Sequence, residues 1–174
     1  MFSDPQKNIA MLGIDHGMKV VDLGAGSGFY TIEAAKKAGA SGRVYAVDVQ
    51  QDLLNKIKNS GALAGLRNIE VVWGNIEKLG GTKLREAIAD RVILSNTLFQ
   101  IEVADRDNLA LEVKRLLKSG GKLLVIDWSS GSPLSPKTLV PQMLAEGIFQ
   151  KVGLTIEKTF DAGDHHYGII FKKQ

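Results

Sequence analysis

The stretch "VVDLGAGSGFY", Val20–Tyr30, joins a short apolar run to three glycines at alternate positions. An apolar run that stops at a glycine turn and passes into a helical pattern marks a buried strand feeding a helix. Side-chain-free positions at Gly24, Gly26 and Gly28 permit positive φ and let a ligand lie on the backbone itself. About twenty residues on, "GRVYAVDV" brings Asp48 to a strand end, where a carboxylate can accept both hydroxyls of a ribose. The spacing is not the G-x-G-x-x-G of dinucleotide loops. Phe29 stands where a third glycine would let a helix pack beside a pyrophosphate, so a ligand without pyrophosphate fits better. Asp22, just inside the first strand, is expected to orient the loop amides and to offer charge to a ligand's ammonium group.

Outward from this unit, apolar runs alternate with helical patterns, which predicts a parallel sheet with helices on both faces. "MKVVDLG", "GRVYAVDV", "IEVVWG", "RVILSN" and "KLLVIDW" read as five parallel strands. Helices are expected in "TIEAAKKAG", ended by Gly39, and in "QDLLNKIKN", with Leu53, Leu54 and Ile57 on one stripe. A third carries Leu109, Val113, Leu116 and Leu117 and closes at Gly120–Gly121. A fourth starts at Pro141, with Leu144, Ile148 and Val152 inward. "GGTKLREAIAD" reads as a loop with one short helix. "LTIEKTFDAG" and "HHYGIIFKK" have no helix between them and predict an antiparallel hairpin. The expectation is a Rossmann-like α/β fold with a seven-stranded, mostly parallel sheet, residues 1–174 forming one domain. A short N-terminal segment (about 1–18) precedes it, without a separate substrate domain. That segment can form one amphipathic helix from Pro5, with Ile9 and Leu12 inward.

The chain has 174 residues, 44% hydrophobic and 24% charged, which suits one folded core. A net charge of +3 with interleaved signs carries no strong nucleic-acid signal. The absence of cysteine removes thiolate nucleophiles, disulfides and Cys-ligated zinc, and with them arsenite methylation and covalent attack on cytosine. No metal site is expected. No long uncharged apolar segment suggests a membrane span, and the N-terminus lacks a secretory pattern, so the expected location is cytoplasmic.

Several motifs in order give the chain a resemblance to class I S-adenosylmethionine-dependent methyltransferases, over roughly residues 9–173. "VVDLGAGSG" resembles their first motif and "VYAVDV" their second. "RVILSNTLFQI" resembles the fourth-strand motif, and "VKRLLKSGGKLLVIDW" the L-K-P-G-G step, with Ser119 for Pro. The tone is that of the type 11/25/31 group, which includes ubiquinone- and menaquinone-pathway enzymes. The resemblance implies S-adenosyl-L-methionine as cofactor and a small-molecule methyl acceptor. Gly24, Gly26 and Gly28 would then face the methionine half, Asp48 the ribose and Val49 the adenine, with Asp22, Ala25, Phe29 and Ile76 as further cofactor-binding residues. Asn75 stands where the family usually has an Asp that accepts the adenine amino group; its amide oxygen can still accept that bond. Ser95 and Asn96 would close the site beneath the sulfonium.

The acceptor side is read from position. Strands four and five end at the active edge, which brings Asn96, Thr97, Gln100, Asp127 and Trp128 near the cofactor, with Tyr30 beside them. "AGDHHYG" starts the last strand at the same edge, where His165 and His166 are candidates for a general base or substrate ligand, on opposite faces by alternation. His16 reads as structural, and Trp73 and Phe149 as core or cofactor wall. The fourth strand lacks the Asn/Asp-Pro-Pro-Tyr run of enzymes that methylate planar amines. Few residues precede strand one, so an open pocket completed by a second copy of the chain is the oligomer expectation. A non-catalytic cofactor-binding module and a nicotinamide-dependent oxidoreductase are the competing readings; the glycine spacing, Phe29 and the hairpin argue against the latter.

Overall fold

A computed structural model describes residues 3–131 and 133–174. Seven strands form one sheet: β1 (Lys19–Leu23), β2 (Arg43–Asp48), β3 (Ile69–Trp73), β4 (Ala89–Ser95), β5 (Leu117–Trp128), β6 (Leu154–Gly163) and β7 (His166–Lys173). Their order is β3-β2-β1-β4-β5-β7-β6. The first five run parallel, and β7 pairs antiparallel with both β5 and β6. The seven-stranded fold with its terminal hairpin is the one expected. In β1 every residue from Val20 to Leu23 is buried, as a central parallel strand covered on both faces requires.

One face carries α1 (Pro5–Leu12) and α2 (Phe29–Ala38), with α3 (Gln51–Leu63) packed over β2 and β3. Ile9 and Leu12 join Tyr30, Ala34, Ala35 and Ala38 of α2 over Ile93, Leu124 and Ile126. The other face carries α4 (Arg106–Leu116) and α5 (Gln142–Lys151), whose Leu109, Val113, Ala145 and Phe149 pack on Val92, Leu94, Leu123 and Phe171. Helix α1 starts where the sequence predicts. Asp4 caps it by accepting a bond from the Lys7 amide, Pro5 opens the first turn, and Gly13 ends it in the left-handed region.

Four local expectations change. No helix forms in 80–90: residues 80–88 run as turns and loop held by side chains of α4, and β4 begins at Ala89. Helix α4 stops at Leu116, and β5 begins at Leu117 with a register shift against Ala89 and Arg91, so Gly120 and Gly121 lie inside an irregular strand start. Helix α5 buries Ala145, Ile148 and Phe149, while Leu144 is exposed and Val152 caps the helix end. Trp73 is 56% exposed, its indole N–H donating to the Val49 carbonyl and the Lys83 ammonium lying over its ring. Phe149 is core as expected.

Buried Asn8 ties α1 to the rest of its face. Its amide group donates to the Tyr30 hydroxyl and the Ala162 carbonyl, each at 3.0 Å, and the Tyr30 hydroxyl donates to Ser3. Asn8→Ala leaves an orphaned carbonyl and a slot, and is expected to cost about 1–3 kcal/mol. Urea unfolding checks the cost, and hydrogen exchange should show faster opening of α1 than of α4.

Candidate functional site

The chain leaves β1 toward β2 and β3 on one side and returns as β4 on the other. At this reversal the loops after β1 and β4 turn away from each other, and a crevice opens beyond the strand ends. Two cavities fill it. One, of about 570 Å³, is lined by Ser3, Pro5, the loop from Gly24 to Gly28, Phe29, Tyr30, Ser95, Asn96 and Gln100. The other, of about 300 Å³, lies against Asp48, Val49, Gly74, Asn75, Ile76 and Thr97. They meet at Gly24, Gly26 and Gln100.

The three glycines do different work. A Cβ on Gly24 would come within 2.7 Å of the Thr97 side chain, and one on Gly28 within 2.6 Å of Ile57. Both therefore serve close packing within the chain. A Cβ on Gly26 would meet nothing closer than 3.8 Å, so this glycine is the one whose surface is left open for a ligand. Phe29 is 70% exposed at the start of α2, against the larger cavity, and does not fill the sheet side.

The loop-orienting role expected of Asp22 falls to Asp48. Asp48 orients the loop: its carboxylate accepts from the Gly26 amide and from the Gln50 amide, both at 2.9 Å. Asp22 lines neither cavity and instead accepts from the Thr31 hydroxyl at 2.6 Å. Burial pushes its carboxyl up to about 6, opposed by the Thr31 bond and reinforced by the Asp48 charge. Asn75 lines the smaller cavity, but its amide oxygen already accepts from the Glu77 amide at 2.8 Å. That oxygen keeps one lone pair for a ligand, and the amide N–H₂ adds donors beside the acceptor that the sequence suggests.

At the end of β4, Asn96 adopts φ +52°. Its amide donates to Ile126 and its carbonyl accepts from Gln100, yet its side-chain oxygen is buried without a partner. Such an atom costs free energy unless a ligand donates to it. His166 starts β7 opposite Trp128 and is 3% exposed, the two ring centroids 4.3 Å apart. Its Nδ1 sits 2.7 Å from the Asp164 carbonyl oxygen. A carbonyl only accepts, so Nδ1 carries the hydrogen and Nε2 presents a lone pair, which is also buried without a partner.

The remaining expectations separate. His165 lies exposed in the hairpin turn at φ +58°, so strand alternation does not apply to it. Asp127 is fully buried on the opposite face of the sheet from His166, accepting from the amides of Phe99 and Trp128. Burial raises its carboxyl to about 6 against those bonds. Neither Asp127, Trp128 nor either histidine lines the two cavities, whereas Tyr30, Thr97 and Gln100 do. Ser3 and Pro5 are wall residues not singled out from the sequence; the inward stripe of α1 was the available signal.

The methyltransferase-domain family profile matches residues 14–159 of this chain. The chain belongs to the class I S-adenosylmethionine-dependent methyltransferases. The ubiquinone/menaquinone biosynthesis C-methyltransferase UbiE of Pasteurella multocida is 31% identical over 145 residues, covering 81% of this chain and 51% of the relative. That of Cronobacter sakazakii is 30% identical, covering 89% and 59%. The chain thus spans between one half and three fifths of the length of these curated relatives. A SAM-dependent methyltransferase from Aquifex aeolicus superposes with TM-score 0.86 at 26% identity, over 98% of this chain and 89% of that one. In this methyltransferase the residues present suit S-adenosylmethionine. Gly26 leaves its surface open, Asp48 ends β2 beside the smaller cavity, and the orphaned Asn96 oxygen awaits a donor.

The acids set a pH dependence. Asp22 has a folded pKa of about 6 against an ordinary 3.8, so the folded state holds its proton more tightly than the unfolded one. Its contribution is most stabilising below about pH 4, is lost as pH rises toward 6, and is flat above. Asn keeps an acceptor for Thr31 without the buried charge. The advantage of Asp22→Asn over wild type is therefore expected to be small at pH 4 and to reach about 1–3 kcal/mol by pH 8, read from paired urea titrations.

Proposed function

We propose that the chain transfers a methyl group from S-adenosylmethionine to a small-molecule acceptor bound in the larger cavity. The observation that carries this reading is the pair of cavities meeting at Gly24 and Gly26 beside the unpartnered Asn96 oxygen. The larger, at about 570 Å³, falls in the range of small-molecule sites. S-adenosylmethionine supplies an electrophilic methyl group on a sulfonium, whose positive charge disperses as the methyl moves. Such a reaction depends mainly on alignment and on exclusion of water, which rigid walls provide.

Asp48 binds the ribose hydroxyls while its bond to the Gly26 amide keeps the loop in place. Val49, Asn75 and Ile76, which line the smaller cavity, would hold the adenine. Gly24, Ala25, Gly26 and Gly28 face the methionine half, and Ser95 and Asn96 form the floor. Phe29, Tyr30 and Pro5 give the larger cavity an apolar wall, which favours an acceptor with apolar surface.

His166 is assigned to the acceptor side of the site, although its buried ring does not itself line the larger cavity. The two unpartnered polar atoms at this sheet edge, Asn96 Oδ1 and His166 Nε2, both accept hydrogen bonds, so a ligand that satisfies them brings donors. An acceptor carrying O–H or N–H meets that need. The Nδ1–H bond to Asp164 holds His166 in the tautomer that takes a hydrogen bond or proton at Nε2, and the Trp128 ring face stabilises the resulting cation.

Calorimetry should show S-adenosylmethionine and S-adenosylhomocysteine binding while NAD does not; the reverse would overturn the reading. Asp48→Ala is expected to weaken both sulfur ligands at least ~30-fold, since hydrogen bonds to a charged group contribute about 1.5–3 kcal/mol each. Labelled methyl followed into a metabolite extract identifies the acceptor. On that acceptor, His166→Ala is expected to lower kcat by about 10²-fold with cofactor affinity unchanged.

A further inference from the structure

Helix α4 lines neither cavity, yet it holds a fully buried carboxylate, Glu112. One turn on, Arg115 grips it with two nitrogens at 2.8 and 2.6 Å, the fork-to-carboxylate geometry of a strong pair. The same carboxylate accepts from the Gly80 amide at 2.7 Å and from both the amide and the hydroxyl of Thr82. Arg115 also donates to the Leu84 carbonyl at 2.8 Å. Burial by itself would raise the Glu112 carboxyl, but the bonds from Arg115, Thr82 and Gly80 outweigh it and hold the group below its usual range. A charge is thus sequestered without touching any ligand site. A buried ion pair of this kind is poor evidence of stabilisation as such.

Its consequence lies one residue away. Gly81, between the two clamped residues, accepts from the Asn75 amide at 3.0 Å. A Cβ on Gly81 would come within 2.1 Å of the Asn75 carbonyl, and one on Gly74 within 2.9 Å of the Gly81 carbonyl. Residues 74–75 and 80–82 therefore lie backbone on backbone with no slack. Gly74, Asn75, Ile76 and Glu77 form the far wall of the smaller cavity. Residues 77–87 have no helix or strand of their own to fix them.

We propose that the Glu112–Arg115 pair is a positioning device for the cofactor's nucleoside, setting through Thr82 and Gly81 where Asn75 and Ile76 stand. This rests on the reading that the smaller cavity takes the adenosine half. The device contacts no reacting atom, so Glu112 and Arg115 are positioning residues. Gln in place of Glu112 keeps the volume but turns an N–H₂ toward Gly80, Thr82 or Arg115, all of which donate. Thr82→Val removes the hydroxyl with its bonds to Glu112, Arg115 and the Leu84 amide and leaves the Thr82 amide link, whereas Thr82→Ser keeps the hydroxyl.

The test is calorimetric binding of S-adenosylhomocysteine and of adenosine, with Phe149→Leu on α5 as a core variant of the same sheet face. Glu112→Gln is expected to raise the Kd of both ligands about tenfold, with the ratio between them kept. Thr82→Val should shift both in the same direction, Thr82→Ser should bind like wild type, and Phe149→Leu should lower Tm without moving either Kd. Thr82→Val serves alone if Glu112→Gln does not fold. Unchanged affinities in the folded variants overturn the inference. So does a loss confined to S-adenosylhomocysteine, or an equal loss in Phe149→Leu. Wild-type protein that binds neither ligand would overturn the proposed function, and this inference with it.

Discussion

Everything at the candidate site depends on β1 being held in parallel between β2 and β4. Val21 is in register with Tyr45 on one side and Val92 on the other, and the strand ends at Leu23 against Val47 and Leu94. A strand paired on both edges and covered on both faces has no freedom to slip, because a one-residue shift would turn its apolar set the wrong way. The glycine loop therefore leaves the sheet at a fixed height beside the ends of β2 and β4. The amides of Gly24 and Ala25 donate to the Val47 carbonyl, and the Gly26 amide donates to Asp48, which stitches the loop to its neighbour strand.

Around that anchor, polar groups divide between support and exposure. Asp22, Asp127 and Glu112 are all buried, and each is satisfied by protein donors away from the cavities. Buried carboxylates are costly unless hydrogen-bonded, and these three are used to fix loops. Asp127 holds the turn at Phe99, Asp22 fastens the first turn of α2, and Glu112 grips the segment after β3. The groups left without protein partners at the site edge, Asn96 Oδ1 and His166 Nε2, are neutral acceptors. The edge that meets ligands thus offers these two acceptors beside the Asp48 carboxylate, in keeping with a cationic cofactor.

Much of this was legible in the primary structure wherever a local rule governs. Period-two and period-3.6 apolar patterns gave away the strands and helices, and the helixless interval before "HHYGIIF" marked the antiparallel end. Gly24, Gly26, Gly28 and Asp48 stood out because turn geometry and strand-end acids have short-range signatures. The failures share one cause. Asp22 and Asp48 are both acids at strand ends, and only the packing of Thr31 and the Gly26 amide assigns their tasks. Of the two readings of Trp73, core or cofactor wall, the first fails because its strand lies at the sheet edge. His165 was placed by alternation that holds in a strand and not in a turn. Glu112 gave no sign, because its partners at 80 and 82 lie thirty residues back.

The sequence by itself therefore determined the element order, the sheet class, the family and the edge at which ligands meet the chain, since all of these follow from periodicity and short motifs. Only the tertiary structure decided which loop glycine has open space where a side chain would stand, which acid steadies the loop, how His166 presents Nε2, and what holds the wall at Asn75. Those depend on contacts between segments far apart in the chain, and no local pattern encodes a partner that the fold has yet to bring near.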